Sequence, residues 1–262
     1  MPMQNLLNLA WVTNGNHRIH KAMMMTGLLS VLMLAGCEEA GDLWRDQKKI
    51  VRQVDLEPRD AIWTYGLFDI RLVQDTTYKL VIRGYREVVN NIHVSQNKRK
   101  TTVSEDFSNH WYSGKSKPVL EYHFVGLRYC RIEEPSRLSS PDTIHSNHLE
   151  VIVANELSEI DLVVDAGYLY LENWTTNTGN YSFRGKAHHY EVELHGSGRL
   201  QADSLHTKNA VIRQQSIGDI HIRTNDTLQV HSSGSGDVFY YGEPAEIIFE
   251  QSASGDLIGL DS

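Results

Sequence analysis

Alternation of apolar and polar positions dominates the carboxyl-terminal third of the chain, and glycine sets its phase. Gly198, Gly218, Gly236 and Gly255 stand 20, 18 and 19 residues apart. Leu200, Ile220, Val238 and Leu257 follow these glycines by two positions. Val192, Ile212, Val230 and Phe249 precede them by six, and Tyr190, Ala210, Leu228 and Ile247 by eight. Even offsets on both sides of the glycine place every one of these side chains on one face with period two, which is the spacing of strands and not of helices. The unit is a strand-turn-strand repeated about every 19 residues, the sequence form of a stacked repeat.

Strand patterning begins earlier, near Ile50, and runs through Phe68, Ile70 and Leu72, then Tyr78, Leu80 and Ile82, then Ile92 and Val94. Arg86 to Asn90 is spaced for a single helical turn. Residues 104–147 are the least regular part, with Pro118, Pro135 and Pro141 and one clear strand at Leu120, Tyr122 and Phe124. They read as a loop excursion from the stack, and loops of that length are common carriers of binding surfaces. Regularity returns at Leu149, Val151 and Val153 and at Ile160, Leu162 and Val164. Gly167 with Leu169 and Leu171, and Gly179 with Tyr181 and Phe183, read as degenerate copies of the repeat. The expectation is an all-β parallel solenoid with rungs of about 19 residues.

The amino terminus has a different pattern. Met23 to Gly36 is an apolar run preceded by Arg18 and Lys21 and ended by Cys37. It is shorter than the roughly 20 residues that span a bilayer and fits a signal core. Residues 1–36 therefore read as a signal peptide, with Met1 to His20 long enough to suggest an over-called start. Leu34-Ala35-Gly36-Cys37 resembles the bacterial lipobox, which implies diacylglyceryl modification of Cys37, a tether over 37–49, and a solenoid domain over 50–262. More than one acyl chain makes such anchoring stable without a transmembrane helix. Glu38 stands where enteric lipoproteins kept at the inner membrane carry aspartate, so the resemblance implies the outer membrane of a Gram-negative bacterium. Periplasmic and surface-facing placements both stay open.

Composition narrows the partners. A formal net charge of −8 and no basic stripe argue against nucleic acid. If lipid occupies Cys37, Cys130 has no disulfide partner and reads as a buried apolar filler.

Two stretches carry a family resemblance. FDIRLVQDTTYKLVIRGYREVVNNIHV, from Phe68 to Val94, together with SGSGDV from Ser233 and SASGDL from Ser252, resembles the GIN domain, an autotransporter-adhesin head. The resemblance spans roughly Ile50 to Leu260 and departs around Trp111 to Pro141 and at Gly198-Arg199, where arginine replaces aspartate. It implies a right-handed parallel β-solenoid, or β-helix, on a bacterial lipoprotein or secreted protein, and it brings no catalytic residues.

Three chemistries remain. Asp219, Asp237 and Asp256 each follow a repeat glycine, and stacked rungs would bring their carboxylates near the roughly 5 Å separation of retaining glycosidases. The ordinary role for Ser-Gly-Asp is a turn, with glycine at positive φ and aspartate capping backbone N–H groups. His189, Glu191, Glu193 and His195 fall on the outward parity and read as a solvated face, not a zinc site, while His145 and His148 read as loop residues. No cofactor or metal is expected. Outward aromatics, Tyr168, Tyr170, Trp174 and Tyr241, with Trp111 and Tyr112 in the excursion, suit contact with a glycan or a protein. The favoured reading is a non-enzymatic, lipid-anchored binding or adhesion module. The alternatives are a carbohydrate-active enzyme using the aspartate column, and a structural component associating through its solenoid ends, where unpaired strand edges invite self-association.

Overall fold

In the computed structural model of the chain, the residues described are 48–106, 117–174 and 177–260. Cys37 and its tether, together with Trp111 and Tyr112, lie outside them. In chain order the strands are β1 (Lys49–Asp55), β2 (Ala61–Tyr65), β3 (Asp69–Gln74) and β4 (Lys79–Tyr85), followed by the single helical turn α1 (Arg86–Asn90). Then come β5 (Ile92–Gln96), β6 (Thr101–Glu105), β7 (Val119–Phe124), β8 (Tyr129–Ile132), β9 (Arg137–Ser139) and β10 (Ile144–Val153). The rest are β11 (Glu159–Asn173), β12 (Asn180–Gly196), β13 (Arg199–Ser216), β14 (Ile220–Ser232), β15 (Val238–Tyr241), β16 (Glu246–Gln251) and β17 (Leu257–Leu260).

From β8 onward every pairing is parallel, and the registers reproduce the apolar columns of the sequence. Tyr190 pairs with Ala210, Ala210 with Leu228, and Leu228 with Ile247. Val192, Ile212, Val230 and Phe249 form the neighbouring column. Tyr181, Leu200, Ile220, Val238 and Leu257 form a third on the facing sheet. The chain is thus a parallel β-solenoid of two sheets whose inward columns are packed side chains. Cys130 belongs to this interior, between Ile62 and Val151, and burial pushes its thiol up to about 12.

Three expectations change. Gly167 is not a repeat glycine: it lies inside β11 against the Asn147 carbonyl, and Leu169 pairs with Tyr190 instead of occupying the position two after a turn. Gly179 does occupy a turn, since Tyr181 pairs with Leu200. The repeat glycines are also not explained by positive φ, which belongs to Gly66, Gly185, Gly196 and Gly242. They are needed because successive turns stack directly. A Cβ on Gly218 would lie 2.2 Å from the Gly198 carbonyl oxygen, and one on Gly236 equally close to that of Gly218.

The third change concerns residues 104–147. The described residues among them, 104–106 and 117–147, are not an excursion outside the stack, because β7, β8 and β9 are rung strands. β2 lies between β6 and β8, and β3 lies between β7 and β9. The first rung in sequence is therefore the second in space, and a later segment has been laid beneath it. Beyond that lowest rung the strands reverse: β4 runs antiparallel to β7, β1 to β4, and β5 to β6. The amino-terminal end of the solenoid is closed by this antiparallel cap.

Candidate binding face

Outward residues of the sheet containing β2, β8, β10, β11, β12 and β13 form the candidate site. Strict alternation puts Trp63 outside between buried Ile62 and Thr64, and Tyr129 and Arg131 outside on either side of Cys130. The Trp63 ring lies 6.3 Å from Tyr129 and 6.5 Å from Tyr65. The Arg131 guanidinium stands 5.1 Å from the Trp63 ring centre and 4.1 Å from that of Trp174, and Lys100 covers Trp63 at 2.9 Å. Such cation–π contacts set guanidinium and ammonium groups against the ring faces. Burial weakens the charge of Arg131, but its 2.6 Å bond to Glu133 prevails and raises its pKa. Ile152 occupies an outward register position between Arg131 and Glu172 yet is 3% exposed, so the face carries its own apolar floor. Trp174 is 42% exposed at its margin.

Next to this cluster runs a ladder of stacked rings on successive strands. His148 stacks on Tyr168 at 4.8 Å, and Tyr168 on His189 at 5.3 Å with the ring planes 8° apart. His148 is therefore a strand residue of the face and not a loop residue. Tyr168 donates to Glu191 Oε2 at 2.7 Å, and Arg213 bonds the other Glu191 oxygen. Tyr170 donates to Glu172 at 3.1 Å. Burial raises both tyrosine hydroxyls well above their ordinary pKa, assisted by Glu191 at Tyr168 and Glu172 at Tyr170. Burial pushes the Glu191 carboxyl up, but the bonds from Tyr168 and Arg213 outweigh it and hold the group ionised to lower pH. From β2 to β13 the strip crosses five strand intervals, about 24 Å.

The sequence-derived candidates separate. Tyr168, Tyr170 and Trp174 are brought together on this face. Tyr241 lies elsewhere, on the facing sheet near the carboxyl end, 6.5 Å from His221, which stacks on Phe239 at 4.7 Å. Trp63, Tyr129 and Arg131 were missed, although the parity that exposes Trp63 is visible in Ile62-Trp63-Thr64. The aspartate column sits at the stacked turns, where the Asp237 N–H donates to Asp219 Oδ1 at 3.1 Å and the Asp256 N–H to Asp237 Oδ1 at 2.9 Å. Two of the three carboxylates thus cap the backbone of the next rung. A concavity of about 600 Å³ lies away from the aromatic face, across Arg137, Glu159, Asp161, Arg184 and Arg199, where cations and anions alternate and Arg184 pairs with Asp161 at 2.8 Å.

A family model described as "Putative auto-transporter adhesin, head GIN domain" matches residues 60–244. The chain belongs to this family. The GIN-domain solenoid is similar to a crystal structure of a "putative adhesin" from Bacteroides fragilis, with a TM-score of 0.75 and 17% identity over 82% of this chain and 98% of that one. It is also similar to a "Putative lipid binding protein" from Parabacteroides distasonis, with a TM-score of 0.63 and 13% identity over the same shares. An adhesin-described structure from Parabacteroides merdae follows at 0.55 and 15%, covering 82% of this chain and 97% of that one. No curated protein matches the chain by sequence. At these identities the structural likeness speaks to the GIN fold alone.

Proposed function

We propose that this GIN-domain chain is a non-enzymatic adhesion module of the bacterial cell envelope, tethered by lipid on Cys37, which binds glycan through the face built on Trp63, Arg131, Tyr168, Tyr170 and Trp174. The observation that carries the reading is the contiguous row of outward aromatic rings, stacked on one another from strand to strand, with carboxylates beside them. The exposed ring edges of such a row offer apolar contact to a sugar ring, and the remaining lone pairs of Glu172 and Glu191 can accept from its hydroxyls. Family membership supports adhesion over catalysis. The use of aspartates as rung caps supports it too, because those carboxylates are committed to backbone N–H groups.

The test is binding of the full-length chain to an immobilised polysaccharide panel, with Trp174→Ala, Tyr168→Ala and, on the facing sheet, Tyr241→Ala. Loss of one stacking ring should weaken binding about tenfold, equivalent to about 1.4 kcal/mol, while Tyr241→Ala leaves it unchanged. Wild-type-like binding by both face variants refutes the site. Cell binding that survives glycosidase treatment but not protease treatment of the target makes the ligand a protein. Release of sugar by the wild type that is abolished in Asp219→Ala/Asp237→Ala would establish the enzyme reading instead. Cys37→Ser should move the chain to the soluble fraction, and unchanged fractionation refutes the anchor.

A further inference from the structure

The two ends of the solenoid are built differently. At the amino-terminal end, Arg52 lies in the register column of Ile82, Leu120 and Ile70, so its side chain stands over the end of the interior. It reaches across to donate to the Ile92 carbonyl at 2.5 Å. Gln96 and the Glu57 backbone exchange two bonds of 2.9 Å beside it. That end is a lid, polar at Arg52 and Gln96 and apolar at Ile50, Val54 and Leu56, which pack against the core. At the carboxyl-terminal end, among the described residues, β16 pairs only with β14 and β17 only with β15. Ile247 and Phe249 continue columns in which Leu228 and Val230 are fully buried, yet they are 43% and 37% exposed. Leu257, beneath which Val238 is fully buried, is likewise incompletely covered. Two adjacent strand edges and an apolar interior are thus presented together.

We propose that this open rung docks on the same rung of a second copy, tip to tip about a two-fold axis. Because β16 and β17 lie at one end of two facing sheets, a partner must offer two strand edges at the same separation, with apolar side chains between them. A second copy offers them by symmetry. A two-fold perpendicular to the sheets reverses strand direction, so β16 meets β16 and β17 meets β17 as antiparallel pairs, and both sheets continue across the joint. Charge selects the register. The outward side of β16 carries Glu246 and Glu250, and centring the pair on Phe249 sets Ile248 opposite Glu250 of the second copy and Glu246 opposite its Ser252, so no two carboxylates face one another. Glu250 is already paired with His231 at 2.7 Å. Head-to-tail stacking would instead set Phe249 and Leu257 against an end closed by antiparallel strands, burying the Arg52 guanidinium and the Gln96 amide against apolar groups.

Area sets the strength. Six residues of β16 extend about 20 Å, and two sheets about 10 Å apart with their outward side chains give an end of about 20 Å by 20 Å. That footprint of about 400 Å² is half the roughly 800 Å² per partner of a standard interface, which makes the dimer weak and reversible.

Sedimentation velocity on the full chain carrying Cys37→Ser should show monomer at about 1 µM and a growing dimer toward several hundred µM, the range in which such small interfaces populate. Phe249→Glu, at an exposed position, should weaken the dimer at least tenfold, while Val51→Glu on the opposite end leaves it unchanged. Phe249→Cys in the same background should form a disulfide-linked dimer under oxidation, which reports the register even if Phe249→Glu unfolds. A monomer at every concentration, or wild-type dimerisation by a folded Phe249→Glu chain, overturns the proposal. Heterodimers formed by mixing Phe249→Glu with Val51→Glu, neither of which self-associates, would show head-to-tail stacking and also overturn it.

Discussion

Gly236→Ala isolates what holds the turns of this solenoid together. An added Cβ would sit 2.2 Å from the Gly218 carbonyl oxygen, 2.7 Å from its carbonyl carbon and 2.8 Å from Gln214 Nε2. Ordinary van der Waals contact begins at 3.4 Å, so the turns must part by about 3.4 − 2.2 = 1.2 Å at that point. Several bonds cross the gap. Gln214 Nε2 donates to the Gly236 carbonyl at 3.3 Å, Gly236 N–H donates to the Ser216 carbonyl at 3.1 Å, and Ile220 N–H to the Asp237 carbonyl at 2.9 Å. Loss of two or three of these at about 1 kcal/mol each, added to about 1–3 kcal/mol for overpacking, gives a cost of about 3–6 kcal/mol. That is a large share of the roughly 5–15 kcal/mol that stabilises a domain.

The sign of the effect is what discriminates. Where alanine fits without strain, Gly→Ala stabilises by about 0.4–1 kcal/mol through the unfolded chain. Gly126 offers that contrast, because nothing lies within 4 Å of the position its Cβ would take. Guanidinium unfolding followed by circular dichroism on both variants supplies the comparison. A Gly236→Ala chain destabilised by less than about 1 kcal/mol would refute close turn stacking as the reason for glycine in the repeat.

Two further predictions concern buried and titrating groups. The Tyr190 hydroxyl is enclosed in the interior with no hydrogen-bond partner among the described residues, and burial raises its pKa well above normal. Tyr190→Phe should therefore raise the unfolding free energy by about 1 kcal/mol, and a comparable loss in the same denaturant titration would reveal a partner for the hydroxyl. Burial pushes the Asp75 carboxyl up, but bonds from His123 at 2.7 Å and from the Thr77 N–H and hydroxyl at 2.6 and 2.8 Å prevail and lower its pKa to about 2. A depressed carboxylate stabilises the fold above its unfolded pKa, 3.8, and the contribution fades as pH falls toward 2. With the side chain about a third exposed, the advantage over Asp75→Asn should be no more than about 1 kcal/mol at neutral pH and shrink below pH 4. An advantage that grows on acidification contradicts the assignment.

How much was legible in the residues depended on the length of uninterrupted alternation. The columns through Tyr190, Val192 and Leu200 were readable because β12, β13 and β14 are long and each contributes several inward positions in phase. β8 and β9 have four and three residues, too few to show a period, and with Pro135 between them they resembled a loop. Nothing local marks β2 as the neighbour of both β6 and β8, since those pairings join residues about 40 and 68 positions apart, as in Ile62 with Thr101 and Cys130. The same limit governed the binding face. Tyr168, Tyr170 and Trp174 were found by parity along one strand, whereas Trp63, Arg131 and Trp174 converge only after three separate segments stack.

That division follows from how a solenoid stores information. Inward positions are fixed by contact with the rung above and below, so a change there propagates through a column, and the fold is written repeatedly. Outward positions meet solvent and their register neighbours only, so Trp63 or Tyr168 can change with little consequence for the columns behind them. Chains sharing 17% identity can then keep a TM-score of 0.75 while presenting unrelated faces. Rung spacing still constrains what such a face can hold. Rings on adjacent strands stand about 4.8 Å apart, close enough for His148, Tyr168 and His189 to stack into a continuous surface. On the binding reading proposed above, such a row suits an extended ligand lying across the strands better than a compact one held in a pocket, and on this chain His148, Tyr168 and His189 are aligned along that direction.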